Sequence, residues 1–400
     1  MNEQESREFV GDDEDVHAST PTGLRSTWTE EAGCKNWRRR SWACLLVAAC
    51  CLAGCGPKPP IRIGLLVGLS DRTAVFSEDG RNGVMLAIEE RNQAGGVAGR
   101  QLELVVQDYG TGPEKATAAV QALIDARVDT VIGPYSSDVA VQMLPQIDKA
   151  RLLVLSPVVS AVALAGKDDY LVRLNRTTRD NARDLARRLY ERGQRRVALA
   201  TDVHNPAYYV SLSDHFRLAF TELGGTVVAY AEFGRDPDTS FENVVRTMLA
   251  GRPDGLVACT TSVDAALIAQ QAVKQTRGIP ITAVYGSEAL IELGGQAVEG
   301  MLVAQAHDRA DTSPGYQAFH RAYTARFGRE PTYSAIFSYD AVTVATEALA
   351  RSAQGESLRD AVLRNQPYQG VQEPIRFDRF GDSARAAYYS IVRNGQFVPL

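Results

Sequence analysis

A regular alternation of apolar, β-rich runs with helix-like segments is the feature that most limits how this chain can fold. The alternation begins with the run Ile61–Val67, restarts after Arg173 and continues to the run 281–284. Strands that alternate with helices in this way form parallel sheets joined by right-handed crossovers. Two successive series of this kind predict an α/β protein with two doubly wound, parallel-sheet lobes joined by a multi-strand hinge.

The individual elements follow from periodicity and from helix-start signals. The predicted strands are 61–67, 102–106, 130–132, 152–155, 197–200, 226–230, 255–259 and 281–284, with later strand-like pieces at 375–377 and 387–392. The predicted helices are 80–93, 113–126, 139–149, 179–191, 208–223, 241–250, 264–274, 316–327 and 335–351. The C-terminal segment holds too few strands for a third lobe. We therefore expect residues 61–175 and 306–378 to form the first lobe, and residues 176–305 and 379–400 to form the second.

The first 54 residues differ in character from the rest. Residues 1–33 are polar and acidic without periodicity, which predicts disorder. A basic cluster then precedes the apolar stretch 42–53, which as a helix is about 18 Å long and too short for the roughly 30 Å membrane core. This order is typical of a secretory signal peptide. The alternative is a buried core helix, which the basic flank and the lack of amphipathic spacing disfavour.

The apolar stretch ends in Leu52-Ala53-Gly54-Cys55, which resembles the lipobox of bacterial lipoproteins. The resemblance implies cleavage before Cys55 and attachment of a lipid to it, with residues 55–60 as a stiff, proline-rich tether. Five of the six cysteines lie in this N-terminal region. The sixth, Cys259, lies on a predicted strand and is expected to be a buried free thiol.

Charge and motifs narrow the classes of function. Removal of the leader leaves 346 residues with 37 basic and 39 acidic side chains, whereas a nucleic-acid-binding protein normally has a basic surplus. The sequence contains no P-loop, no Gly-x-Ser-x-Gly motif and no His-Glu-x-x-His motif, and its histidines lack metal-ligand spacing. We therefore expect a protein that is not an enzyme and has no metal site, no cofactor and no nucleic-acid partner.

Polar residues follow two successive strands of the predicted first lobe. Ser137 lies after strand 130–132 and is a natural N-cap for the next helix, and Ser160 lies in the loop after strand 152–155. The free N–H groups at a helix N-terminus attract anionic groups at the carboxyl edge of a parallel sheet. Ser137 is therefore predicted to contribute to an anion site; the alternative is that it only caps its helix.

Several short motifs occur in an order and spacing that resemble a known family. They include Asn82-Gly83, the glycine-rich segment 94–100, Val131-Ile132-Gly133-Pro134, Ser156-Pro157 and Tyr339-Asp340-Ala341. Together they resemble the branched-chain (Leu/Ile/Val-type) amino-acid solute-binding proteins of ABC importers, over residues 61–400. The resemblance implies the type I periplasmic-binding fold, with a small ligand bound in the cleft between two lobes.

The resemblance also implies which first-lobe residues bind. Ser137 and Ser160 would hold the α-carboxylate of the ligand, and the backbone carbonyl of Val158 would face its ammonium group. For Ser160 the alternative is an ordinary turn serine. Phe76, in the loop after the first strand, and Tyr135 would line the side-chain pocket, although loop aromatics of this kind are also commonly packing residues.

In the second lobe, the resemblance points to a tyrosine and an acid. Tyr208 matches the cleft tyrosine of the family, and Tyr209 is the alternative one residue away. Glu288 matches the acid that pairs with the ligand's ammonium group across the cleft. Its alternative role is that of a favourable acid in the first turn of the following helix.

Three positions depart from the family pattern. Thr261, a cleft-wall position expected among the ligand-binding residues, is small and polar where some members carry an aromatic residue. Ser334 is polar where some members carry an apolar residue, and Asp138 adds a carboxylate beside the anion site. These departures favour a more polar amino acid, an amide or another small solute over a branched aliphatic ligand.

The expected function is that of an extracytoplasmic, membrane-anchored lipoprotein, in the periplasm or at the cell surface, that binds a solute for an ABC importer. Its expected partners are an amino-acid-like small molecule, an ABC permease, and the membrane through the N-terminal lipid. One alternative is a binding protein that feeds a receptor or kinase partner. A more distant one is an enzyme on the same scaffold.

Overall fold

The computed structural model describes residues 58–70, 74–235, 240–276 and 278–400. The first sheet contains β1 (Ile61–Val67), β2 (Leu102–Asp108), β3 (Thr130–Ile132), β4 (Val154–Ser156) and β5 (Leu171–Arg173). Its strand order is β2-β1-β3-β4-β5, and every pairing is parallel. The helices between these strands are α1 (Ala74–Gln93), α2 (Pro113–Asp125) and α3 (Ser137–Ala150). We call this sheet and the helices that cover it the first lobe.

The second sheet repeats the pattern and defines the second lobe. Its parallel strands are β6 (Arg196–Asp202), β7 (Thr226–Phe233), β8 (Gly255–Cys259), β9 (Ile281–Ala283) and β10 (Leu302–Gln305). Its helices are α4 (Thr178–Glu191), α5 (Tyr209–Glu222), α6 (Phe241–Ala250), α7 (Ser262–Gln275) and α8 (Glu288–Gly294). Cys259 at the end of β8 is buried and free, as predicted, and burial raises the pKa of its thiol to about 12.

After β10 the chain returns to the first lobe as α9 (Pro314–Phe327), α10 (Tyr333–Arg351) and α11 (Leu358–Arg364). Val344 of α10 shares an apolar core with Leu65 of β1. Gly83 of α1 lies so close to α10 that an added Cβ would come within 2.1 Å of the carbonyl oxygen of Ala335. A glycine at this position therefore permits the contact between the two helices.

The chain ends on the second sheet. A short hairpin, β11 (Tyr368–Gln369) and β12 (Pro374–Ile375), precedes β13 (Tyr388–Arg393) and β14 (Gln396–Pro399). β13 pairs antiparallel with β10, and β14 pairs antiparallel with β13. The full order of the second sheet is β14-β13-β10-β9-β8-β6-β7, so the predicted parallel sheet carries an antiparallel edge.

Three crossovers join the sheets, after β5, after β10 and before β13, and the first and third are bonded together. The backbone N–H of Arg173 donates to the carbonyl of Gly381 at 2.9 Å. The buried guanidinium of Arg173 contacts the Asp382 carboxylate at 2.6 Å and donates to the carbonyl of Ala161 at 2.9 Å. These bonds link the crossovers to the loop that follows β4.

The predicted fold class is confirmed, and each predicted strand and helix is present with ends that differ by up to six residues. The sequence pattern did not predict β5, β10, β11, β14 or α11, since elements this short show little periodicity. The predicted signal peptide and Cys55 lie outside the described residues. Among the helices that are described, none is long and apolar enough to cross a membrane.

Candidate ligand-binding site

The loops after β3 and β4 meet at the carboxyl edge of the first sheet, where the two serines were predicted. The hydroxyl oxygen of Ser137 accepts a hydrogen bond from the backbone N–H of Ser160 at 3.4 Å. Ser137 is the first residue of α3 and Ser136 is its N-cap, so the prediction that Ser137 is the cap was wrong by one residue. Two consecutive serines present the same capping chemistry, and only the backbone decides between them. Ser137 still lies at the helix N-terminus, where anionic groups are attracted.

The hydroxyl of Ser160 is a candidate ligand donor because it is buried and unused. Its Oγ has no hydrogen-bond partner among the residues that the structure describes. The backbone of Ser160 is held in place, since its carbonyl accepts from the N–H of Thr178 at 2.7 Å. The carbonyl of Val158 accepts from Nδ2 of Asn175 at 3.0 Å, and its second lone pair is available to a ligand donor.

The second lobe contributes Tyr208, which is the N-cap residue of α5 rather than its first helical residue. Its ring lies against that of Tyr209, with centroids 4.7 Å apart at 64°. Burial raises the pKa of both phenols, so both remain neutral hydrogen-bond donors. Tyr208 lines an interlobe cavity, which favours it over Tyr209 as the cleft tyrosine.

Glu288 is the first residue of α8 and is paired with a cation from the second crossover. Its Oε1 lies 2.6 Å from Nη1 of Arg309, and its Oε2 lies 3.4 Å from Nη2. The guanidinium of Arg309 is itself packed 4.4 Å from the ring centroid of Phe397. The carboxylate is thus oriented and partly neutralised, and it keeps lone pairs that can accept from an ammonium group.

Three aromatic rings close the cleft between the lobes. The ring centroid of Phe76 lies 5.9 Å from that of Tyr285 and 5.1 Å from that of Tyr333, and the two tyrosine rings are 5.3 Å apart. Phe76 lies in the first turn of α1, so its predicted place in a loop was wrong. Tyr135 is buried in the first lobe, 6.5 Å from Phe76, and its hydroxyl is bonded to Ser338 at 2.7 Å.

The two small polar positions have structural partners. Thr261 is the N-cap of α7, and its hydroxyl oxygen accepts from the N–H of Asp264 at 3.2 Å. Ser334 donates to the backbone carbonyl of Phe76 at 2.9 Å and so anchors the start of α1. Both residues therefore stabilise elements that border the cleft.

A small cavity of about 40 Å³ lies where the cleft meets the crossovers. Its walls include Asn175 of the first crossover, Gln305 at the end of β10, and the rings of Tyr208, Tyr285 and Tyr333. Tyr285 is the second residue after β9, so the rule that ligand-binding residues follow the carboxyl ends of strands, which selected Ser137, selects it too. No local sequence pattern identifies Gln305 as a residue of the site, because β10, the strand that it ends, was not predicted. Among the residues that the structure describes, no group of three or more His, Cys, Asp or Glu side chains is placed to hold a metal.

The comparisons with known families explain this architecture. A family model described as periplasmic binding protein matches residues 60–393. The chain belongs to the periplasmic binding protein family. The members of this family named below are described as binding proteins, and the type I periplasmic-binding fold predicted from the sequence motifs is confirmed.

Two relatives of this periplasmic binding protein are Leu/Ile/Val-binding proteins. It is 26% identical over 172 residues to BraC3 of Rhizobium johnstonii, a match that covers 42% of this chain and 46% of that protein. It is 22% identical over 336 residues to Leu/Ile/Val-binding protein homolog 2 of Brucella abortus, covering 82% of this chain and 89% of that one.

Solved structures agree with these relatives. The leucine binding protein LivK of Thermotoga maritima is 26% identical with a TM-score of 0.77, and the match covers 85% of this chain and 97% of LivK. An ABC transporter substrate-binding protein of Desulfitobacterium hafniense, solved in complex with Leu, is 26% identical with a TM-score of 0.72. That match covers 86% of this chain and 100% of the other. The cleft described above is therefore the place to examine for ligand binding.

Proposed function

We propose that this protein is the lipid-anchored, extracytoplasmic substrate-binding component of an ABC importer, and that it binds a small amino acid between its lobes. The observation that carries the proposal is the buried hydroxyl of Ser160, which has no hydrogen-bond partner in the described part of the chain and lies beside Ser137 at the N-terminus of α3. The ligand's carboxylate accepts from these two hydroxyls. Its ammonium group donates to Glu288 and to the carbonyl of Val158. A hinge motion then closes one lobe over the other.

The variant Ser160→Ala tests this arrangement. A hydrogen bond to a charged group contributes about 1.5–3 kcal/mol, so the affinity for L-leucine and L-glutamine should fall by roughly 10- to 150-fold. The melting temperature should stay the same or rise, because the variant removes a buried hydroxyl for which none of the described residues is a partner. Isothermal titration calorimetry and thermal melts measure the two effects.

Ser383→Ala is the matched control. Ser383 also has a buried Oγ without a partner in the described part of the chain, but it lies in the third crossover, outside the two serine loops. Its replacement should leave both affinities unchanged. Equal affinities in Ser160→Ala and in the wild type would overturn the proposed site, and the absence of any amino-acid binding would overturn the proposed function.

The anchor and the lobe division belong to the same proposal and rest on the sequence. Cys55→Ser should move the protein from the membrane fraction to the soluble fraction of cells, and mass spectrometry of the wild-type N-terminus should detect the lipid.

Residues 61–175 and 306–378 would move as one lobe, and residues 176–305 and 379–400 as the other. Small-angle scattering should show compaction when an amino acid binds.

A further inference from the structure

Gln305 presents a buried amide that the fold does not use. Its side chain is 4% exposed, and neither its Oε1 nor its Nε2 has a hydrogen-bond partner anywhere in the described chain. A primary amide offers two donor hydrogens and an acceptor, and a buried polar group without partners is costly. A residue retained at such a cost is expected to have its partner in another molecule.

The position of Gln305 connects this amide with the proposed binding site. Gln305 shares the wall of the 40 Å³ cavity with Asn175 and Tyr208. Asn175 is occupied, because its Nδ2 donates to Val158 at 3.0 Å and its Oδ1 accepts from the N–H of Arg176 at 2.9 Å. The cavity therefore adjoins the loop that carries Val158 and Ser160, and the amide of Gln305 is available inside it.

The size and charge of the cavity restrict what can fill it. Since a water-sized group occupies about 10–15 Å³ of such a cavity, its volume suits roughly three heavy atoms, the size of a terminal carboxamide. Arg176 is the one charged residue among the described wall residues; its Nη2 is paired with Asp184 at 2.6 Å, and its Nε has no partner among the described residues. A ligand carboxylate could accept from Nε2 of Gln305 but, having no hydrogen to donate, would leave Oε1 unpaired. An alkyl group would leave both amide atoms unpaired, and a hydroxyl would pair with one of them.

We propose that Gln305 is a specificity-determining residue that pairs, amide to amide, with the side-chain carboxamide of a bound amino acid. This proposal rests on the proposed function, because the serine loops and Glu288 hold the α-carboxylate and the ammonium group of the same ligand. It makes L-glutamine or L-asparagine the preferred class of ligand over leucine, isoleucine and valine.

Calorimetry of the full-length protein with L-glutamine, L-asparagine, L-leucine and L-methionine tests the proposal. L-methionine matches the length of L-glutamine but lacks its amide. The wild type should bind L-glutamine or L-asparagine at least 10-fold more tightly than L-methionine. Gln305→Leu should reduce that ratio to less than 3-fold, with little change in the affinity for L-methionine. Gln194→Leu is the matched control, because Gln194 is a buried glutamine whose Oε1 has no partner among the described residues. It precedes β6 and so lies at the amino ends of the parallel strands, whereas Gln305 lies at their carboxyl ends.

Gln305→Glu is the second variant, in case Gln305→Leu does not fold. It keeps the shape and removes both donor hydrogens, so the preference for the amide ligand should also be lost. If the wild type binds L-leucine or L-methionine as tightly as the amides, or if neither variant changes the ratio, the role of Gln305 is overturned while the proposed function stands. If none of the four amino acids binds, both proposals are overturned.

Discussion

The carboxylate of Asp138, in the first turn of α3 in the first lobe, accepts a hydrogen bond from the backbone N–H of Ala207 in the second lobe at 3.1 Å. The side chain of Ala207 packs against the apolar core of the first lobe. Ala207 directly precedes Tyr208, and Asp138 directly follows Ser137. This contact therefore joins the two lobes next to the candidate site, and it gives a structural role to the extra carboxylate that the sequence showed beside the anion site.

Replacement of Asp138 should weaken ligand binding by favouring the open form. Asp138→Ala removes the acceptor for the N–H of Ala207, and a charge-assisted hydrogen bond contributes about 1.5–3 kcal/mol, so affinity should fall roughly 10-fold or more. Asp138→Asn keeps an oxygen acceptor and should lose less. Calorimetry with L-leucine and L-glutamine, together with the radius of gyration of the saturated protein, measures both effects. Wild-type affinity and compaction in Asp138→Ala would contradict this role.

Glu288 should discriminate ligands by their ammonium group. Glu288→Gln removes the negative charge, so the affinity for L-leucine should fall by roughly 10- to 100-fold. Binding of 4-methylpentanoate, which has the same side chain and carboxylate without the ammonium group, should not fall. Calorimetric titration with both ligands measures the difference.

The control for this prediction is Glu292→Gln on the same helix, where the glutamate is exposed. It should bind both ligands as the wild type does. Equal losses for the two ligands in Glu288→Gln would indicate that Glu288 supports the fold of the site and does not contact an ammonium group.

The buried pair of Asp340 and Arg385 should contribute strongly to stability. Their side chains are 1% and 5% exposed and lie 2.7 Å apart, and Asp340 also accepts from the N–H of Val371 at 2.8 Å. Asp340→Ala leaves the buried guanidinium with only Glu373, at 3.9 Å, as an acidic contact, which should lower the free energy of unfolding by about 3 kcal/mol. Urea denaturation measures the loss.

The matched control is an exposed ion pair. Glu242→Gln breaks the contact of Glu242 with Arg246, in which both side chains are more than half exposed, and should change the free energy of unfolding by less than about 1 kcal/mol. A comparable loss in the two variants would refute the assignment of a larger contribution to the buried pair.

His307 should make the protein sensitive to acid. Burial in the second crossover, together with the nearby positive charge of Arg309, lowers the pKa of its imidazole to about 3. The imidazole takes up a proton near pH 6.5 in the unfolded chain but stays neutral in the folded protein until the pH nears 3. The free energy of unfolding therefore has its full value, as far as His307 is concerned, above pH 6.5 and falls as the pH is lowered toward 3. The loss is about 1.4 kcal/mol per pH unit.

His307→Gln removes this titrating group. Unfolding free energies measured by urea denaturation between pH 7 and pH 4 should therefore fall less steeply for the variant than for the wild type. Parallel pH profiles for the two proteins would show that His307 is not the responsible group.

The sequence by itself determined the class of fold and most of the elements that carry the site. The alternation of strands and helices predicted two parallel sheets, because an apolar strand buried on both faces and an amphipathic helix have different and recognisable periods. Ser137, Ser160 and Glu288 follow strands of these sheets. Their clustering follows from one rule, that the carboxyl ends of parallel strands meet at one edge.

Only the tertiary structure decided what these side chains contact. Arg309 pairs with Glu288 from 21 residues away, and the N–H of Ala207 reaches Asp138 across 69 residues. The amide of Gln305 has no partner among the described residues because three crossovers pack around one cavity. Local periodicity carries no information about such contacts, because they depend on how the two sheets are oriented by apolar packing and by the bonds between crossovers.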